Sequence, residues 1–144
     1  MKGFPDLPPI WAIGAALAAW LLATYLPIVT FPRGIGRFFI IAGLGLILWS
    51  AWWFRKKGTP IEPRAKPRAL IVEGPYRINR NPIYTGLILM VLGYAIGLGA
   101  VSALLPAIVF PIIIHRRFVL PEEAELRETF GPEAEAYFRS TRRW

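Results

Sequence analysis

Cysteine is absent from the 144 residues, and histidine occurs once, at His115. Those two gaps exclude disulfide scaffolds, thiol nucleophiles, iron–sulfur clusters and any zinc site built on Cys or on several His, so no metal site is expected. Charge is missing over long stretches as well. Between Asp6 and Arg33 lie 26 residues without Asp, Glu, Lys or Arg, Phe38 to Phe54 is 17 such residues, and Asn81 to His115 is 35. A hydrocarbon core about 30 Å thick takes roughly 20 apolar helical residues. The first two stretches each predict one membrane span, and the third is long enough for two. A secretory signal peptide competes for the first stretch, but its apolar run is longer than the usual core of about 7–15 residues and no small-residue cleavage site follows. With no ionisable side chain inside the spans, an ion-coupled transporter has no carboxylate to protonate.

What is present agrees with this. A composition 55% hydrophobic with mean hydropathy +0.44 is too apolar for an ordinary soluble domain. The chain is expected to be an all-α integral membrane protein, one membrane domain over 1–144. Four transmembrane helices are predicted at about 10–29, 38–54, 82–98 and 102–118, with a loop over 55–81 and a helical cap over 119–144. Small residues from Gly97 to Ser102 supply the turn between the last two. Lys+Arg number 17 against Asp+Glu 9, a net charge of +8. Eight of the basic residues (Arg55, Lys56, Lys57, Arg64, Lys66, Arg68, Arg77 and Arg80) sit in the middle loop, whereas the first hairpin has Arg33 and Arg37 only. Basic short loops stay cytoplasmic, which puts the middle loop and both termini in the cytoplasm. The excess charge reads as topology, with no nucleic-acid partner.

Pro60, Pro63 and Pro67, interleaved with basic residues, should run extended over the headgroups. The following ALIVEGPYRINRNPIYTG is shaped by two breakers, Gly74-Pro75 and Asn81-Pro82, which predict tight turns before the third span. Tyr76 and Tyr84 bracket Arg77 and Arg80, an arrangement that suits an interfacial belt or a ligand site equally. In the tail, Pro121 fits a first helical turn and Glu122, Glu123 and Glu125 complement its dipole. Leu126, Phe130, Tyr137 and Phe138 form an apolar stripe broken at Gly131-Pro132. The Glu122-Glu123 pair is either dipole complementation or a carboxylate site for a ribose diol or a cation. Pro106 and Pro111 should kink the fourth helix and open a lateral gap for a lipid-like chain. Gly93 and Gly97 make a GxxxG packing step. His115 is a capping histidine or a proton acceptor.

The ordered set GPYRINRNPIYTG, a charge-free hairpin and EEAELRETFGPEAEAYFRSTRRW, spread over residues 68–144, resembles the superfamily of isoprenylcysteine carboxyl methyltransferases and phospholipid methyltransferases. In those relatives the loop reads Gly-x-Tyr-x-x-x-Arg-His-Pro-x-Tyr-x-Gly. This chain keeps Gly74, Tyr76, Arg80, Pro82, Tyr84 and Gly86 and has Asn81 where the prenylcysteine enzymes have histidine. The resemblance implies a methyltransferase using S-adenosylmethionine and releasing S-adenosylhomocysteine. It implies that Leu70, Ile71, Tyr76, Asn81, Pro82, Ile83 and Tyr84 line the cofactor pocket and that Glu122 and Glu123 close it. Gly97 and Gly99 match a Gly-x-Gly of the phospholipid branch. The implied acceptor is lipid-like or prenylated, a prenylcysteine carboxylate or a phospholipid amine, entering sideways from the membrane lipids. A carboxylate needs a cation beside it, for which Arg80, Arg116, Arg117 or Arg142 is available, whereas an amine must lose a proton, to His115 or to a Glu of raised pKa. Arg80, Arg117 and His115 are therefore the expected catalytic residues. The alternatives are methylation of a small membrane-permeant thiol or amine, and a non-enzymatic scaffold whose tail docks a partner.

Overall fold

The computed structural model describes residues 6–62 and 65–144. Residues 1–5, and Pro63 and Arg64 of the predicted extended loop, lie outside them. Among the described residues six α-helices form: α1 (Pro8–Tyr25), α2 (Gly36–Lys57), α3 (Pro82–Leu98), α4 (Leu104–Ile114), α5 (Leu120–Phe130) and α6 (Pro132–Ser140). Short 3-10 turns sit at Gly74–Arg77 and Val101–Ala103, and a π-helical segment, His115–Val119, joins α4 to α5. Among the described residues no strand forms, as expected of an all-α protein. Three helical stretches among them are long and apolar enough to cross a membrane: Pro8–Tyr25, Gly36–Lys57 and Val101–Phe130. The fourth apolar helix, α3, has 17 residues.

Three predicted boundaries need correction. α1 stops at Tyr25, short of residue 29, because Leu26 precedes Pro27 and a residue before proline is pushed out of the helical region. The carbonyls of Ile28 and Val29 instead accept the Val101 N–H, both at 3.1 Å, and tie the α1–α2 connection to the turn after α3. α2 is longer than 38–54 at both ends, since Arg55, Lys56 and Lys57 suit the negative end of its dipole. The helix that carries the fourth predicted span does not end at 118. The helix runs on into the tail, making Val101–Phe130 one rod of 30 residues, about 45 Å long.

α2 and α3 pack antiparallel through paired glycines. A Cβ added at Gly36 would fall 2.4 Å from the Gly93 carbonyl oxygen, and one at Gly43 would fall 2.4 Å from that of Gly86. Missing side chains let the two backbones touch, as helix pairs in membranes commonly do. α1 and α4 lie against the rest of α3 and against each other. The core is built from Tyr84, Val91 and Ala95 of α3, Ala107, Phe110 and Ile114 of α4, and Phe118 and Val119 of the π segment. Phe38, Ile41 and Leu48 of α2 and Ile13 and Leu17 of α1 point outward, as suits helices whose outer faces meet lipid. Pro111 lies inside α4, which packs against both α1 and α3.

Candidate functional site

The segment before α3 is built around two local devices. Gly74 adopts φ +60 and lies flat against the Trp53 indole, where a Cβ would sit 1.9 Å from Nε1, so only glycine fits. The following 3-10 turn buries Tyr76 edge-on to Phe54, with ring centroids 5.9 Å apart. Next, the Asn79 carboxamide oxygen accepts the Asn81 N–H at 2.9 Å, and its Nδ2 donates to Thr85 Oγ1 at 3.2 Å. Thr85 Oγ1 donates in turn to the Asn81 carbonyl at 3.0 Å. This side-chain turn sets the start of α3 at Pro82, whose missing N–H costs nothing in a first helical turn.

One turn into α3, the Tyr84 hydroxyl donates to Glu122 Oε1 at 2.5 Å, across 38 residues of sequence. Loop and tail thus close on a cavity of about 400 Å³, within the range of small-molecule sites. Of the predicted residues, Leu70, Ile71, Tyr76, Arg80, Asn81, Ile83, Tyr84, Glu122 and Glu123 all line it. The start of α1 (Leu7, Pro8, Pro9), Ile47 and Phe54 of α2, Leu87 of α3, Glu125 and Leu126 of α5, and Tyr137 and Phe138 of α6 also line it, as do Thr59, Pro60, Ile61, Glu62, Ala65, Pro67 and Ala69 of the loop, which was expected to run over the headgroups and instead folds onto the cavity.

Five predicted residues are not brought there. Pro82 is buried behind the wall. Gly97 and Gly99 lie at the other end of α3, about 20 Å from Tyr84 by helix rise, where Gly99 packs on the Arg33 side chain. Arg117 donates to Asp6 Oδ1 at 2.7 Å and stacks 5.1 Å over the Trp11 ring, while Trp11 Nε1 donates to the same oxygen at 2.9 Å. It anchors the approach to α1 and does not reach the cavity. The His115 ring lies 6.2 Å from that of Trp144, outside the cavity wall.

The two glutamates have different partners. Glu122 stands in the charged first turns of α5, beyond the apolar part of the rod. Burial pushes its carboxyl up to about 7, against the pull of the Tyr84 hydrogen bond and with a further push from Glu125. Glu123, only 3% exposed, accepts a fork from Arg143, Nε at 2.9 Å and Nη2 at 2.8 Å, with Arg80 Nη2 at 3.6 Å. Arg80 also lies 4.6 Å over the Phe138 ring, and its buried Nε has no hydrogen-bond partner. Burial holds the Tyr76 and Tyr137 phenols far above their ordinary range, and the Tyr137 hydroxyl donates to the Tyr76 carbonyl at 2.8 Å. Arg143 and the start of α1 escape sequence reasoning. Arg143 is one of six arginines in the tail, and residues 7–9 carry no polar group to mark them.

A family model described as phospholipid methyltransferase matches residues 32–133, from the connection before α2 to the first turn of α6. Comparison with curated proteins gives no match, and neither does comparison with solved structures. The match spans most of the chain, takes in the loop and the Glu122-Glu123 pair, and falls on helices apolar enough to cross a membrane. The chain belongs to the phospholipid methyltransferase family and is an integral membrane protein of methyltransferase type.

Proposed function

We propose that this protein transfers a methyl group from S-adenosylmethionine to the amine of a phospholipid-like acceptor. The observation that carries the reading is the single cavity in which the loop motif and the tail carboxylate meet through Tyr84 and Glu122. Its residues fit such a cofactor. Leu70 and Ile71 offer an apolar wall, Asn81 and Tyr76 border it, and Glu122 offers a carboxylate to a cation. When bound, the cofactor supplies a sulfonium-activated methyl, so the protein chiefly has to hold donor and acceptor in line. An amine acceptor fits better than a carboxylate. Arg117 is engaged by Asp6 and Arg80 leans on Phe138 beside Glu123, whereas Glu122 is the acid of the pair with no arginine on it. A carboxyl that titrates near 7 is also suited to taking the proton that the amine must lose.

The acceptor's chain has a route. α1 and α2 each lie against α3 but scarcely touch one another. Pro8 and Pro9 stand on one side of that seam, Ile47 on the other, and Ile83 and Leu87 on its floor, all of them in the cavity wall. The lateral entrance belongs there and not at the prolines of α4. In this reading α3 completes a four-span bundle, and the loop, both ends of the chain and the cavity face the cytoplasm, where the basic residues concentrate.

Calorimetric titration of the detergent-purified protein with S-adenosylhomocysteine tests the cofactor. Saturable binding is expected, weakened in Glu122→Ala and Tyr84→Ala. A folded wild-type sample that gives no binding heat would return the chain to the scaffold reading. Methyl transfer to long-chain phosphatidylethanolamine, compared with chain-free glycerophosphoethanolamine, tests the seam. Equal rates on both would favour a small-amine substrate.

A further inference from the structure

Arg142 and Arg143 pack against the loop before α3 and against α5. Asn79 and Arg142 form a parallel bridge, and the Arg80 N–H donates to the Arg142 carbonyl at 2.8 Å. The Asn81 Nδ2 donates to the Arg143 carbonyl at 3.0 Å, while the Arg143 guanidinium forks onto both oxygens of Glu123. One residue therefore holds the loop by its backbone and α5 by its side chain. A fork fixes the plane and direction of a carboxylate as no single hydrogen bond can. The π-helical segment His115–Val119 interrupts the regular ladder just before α5, so α4 alone does not dictate how α5 is rolled about its axis. Neighbouring residues on a helix point about 100° apart. Fixing Glu123 therefore fixes where Glu122 points.

We propose that Arg143 is a positioning residue for ligand binding: its fork on Glu123, with its carbonyl on Asn81, sets the roll of α5 that brings Glu122 to Tyr84 in the cavity. The inference rests on the cofactor reading for the identity of the ligand, and on the hydrogen bonds alone for the geometry.

The test compares Arg143→Gln, Arg143→Lys, Glu123→Gln and the double variant Arg143→Gln/Glu123→Gln, with exposed Arg139→Gln as the tail-charge control. S-adenosylhomocysteine affinity, thermal midpoint and amide hydrogen exchange are read in each. Arg143→Gln and Glu123→Gln should each weaken binding on the order of tenfold, as removal of an orienting outer partner does. The double variant should lose no more than either single one. Arg143→Lys should recover only part of the loss, because an ammonium cannot fork, and Arg139→Gln should bind as wild type. A lowered midpoint in Arg143→Gln with affinity unchanged would overturn the proposal, and so would losses that simply add in the double variant. Should the wild type bind no S-adenosylhomocysteine, the cofactor reading fails, and exchange decides the geometry separately. Faster exchange at the Arg80 amide and in the first turn of α5 in Arg143→Gln upholds the latch, and wild-type rates sink it.

Discussion

Glu122 and Glu123 share a backbone turn and a side chain, yet one faces a tyrosine hydroxyl and the other an arginine fork. That difference has a pH signature. The Glu122 carboxyl sits near 7 in the folded protein against an ordinary value of 4.5, so folding favours its protonated form. Its contribution to stability is complete below the ordinary value and is lost as pH rises through about 7. Between about pH 5 and pH 8 the ligand-free wild type should therefore lose more thermal midpoint than Glu122→Gln, by on the order of 5 °C. Parallel midpoint curves for the two proteins would count against the buried carboxyl. A cationic ligand acts in the opposite direction, favouring the carboxylate, so its binding should release a proton. Titrations in buffers of different ionisation enthalpy would detect that release. At this scale the loop motif brings Tyr76, Asn81 and Tyr84 together on the cavity wall because their spacing lies within one local turn. Gly97, Gly99, Arg117 and His115 lie away from that cavity, since residue type says nothing about which end of a helix faces it. Nor does it say which of the tail's six arginines reaches Glu123.

At the scale of the helix pair, the glycines of α2 and α3 make a prediction of opposite signs. Gly43 has the Gly86 carbonyl oxygen 2.4 Å from where its Cβ would lie, and that atom is backbone and cannot turn away. Gly43→Val should destabilise the protein by about 1–3 kcal/mol, the cost of overpacking. Gly45, two residues on, faces open space, and Gly45→Ala should be neutral or stabilising by about 0.5–1 kcal/mol. Detergent-based unfolding measures both, and equal effects would mean that the helices do not meet at Gly43. The pattern was half legible. A GxxxG reading drew attention to Gly93 and Gly97, and both present backbone to Gly36, but the second contact, Gly86 against Gly43, lies outside that step. Which glycines meet depends on the register between two helices, and no single segment contains that information. Pro27 ended α1 for a reason that was local and readable, whereas the run of the fourth helix into the tail was not.

At the scale of the molecule, the natural lack of cysteine makes topology directly measurable. With four crossings, a single cysteine at Gly34 should react with an impermeant maleimide only from the side opposite to cysteines at Lys66 and Arg139. If α3 does not cross, Lys66→Cys and Arg139→Cys will instead label from opposite faces. Hydropathy and charge asymmetry were enough to predict an all-α membrane protein with a loop and a helical cap. They could not show that residues 7–9, on the approach to the first helix, close the same cavity as α6, because that contact exists only once the bundle assembles.

The rod from Val101 to Phe130 passes from the apolar bundle into α5 without a chain break, and this ties two otherwise separate quantities together. A hydrocarbon layer that does not match a helix makes it tilt, at a cost of a fraction of a kcal/mol per ångström. Tilt at the lipid end is resisted at the other, where Arg143 ties α5 to the loop, so the strain falls on the hydrogen bonds of the two glutamates. Affinity for a water-soluble ligand thereby comes to depend on the acyl-chain length of the surrounding lipid. On the proposed cofactor reading, the protein reconstituted into short-, medium- and long-chain bilayers should bind S-adenosylhomocysteine best at one thickness, so that the membrane would tune the site embedded in it.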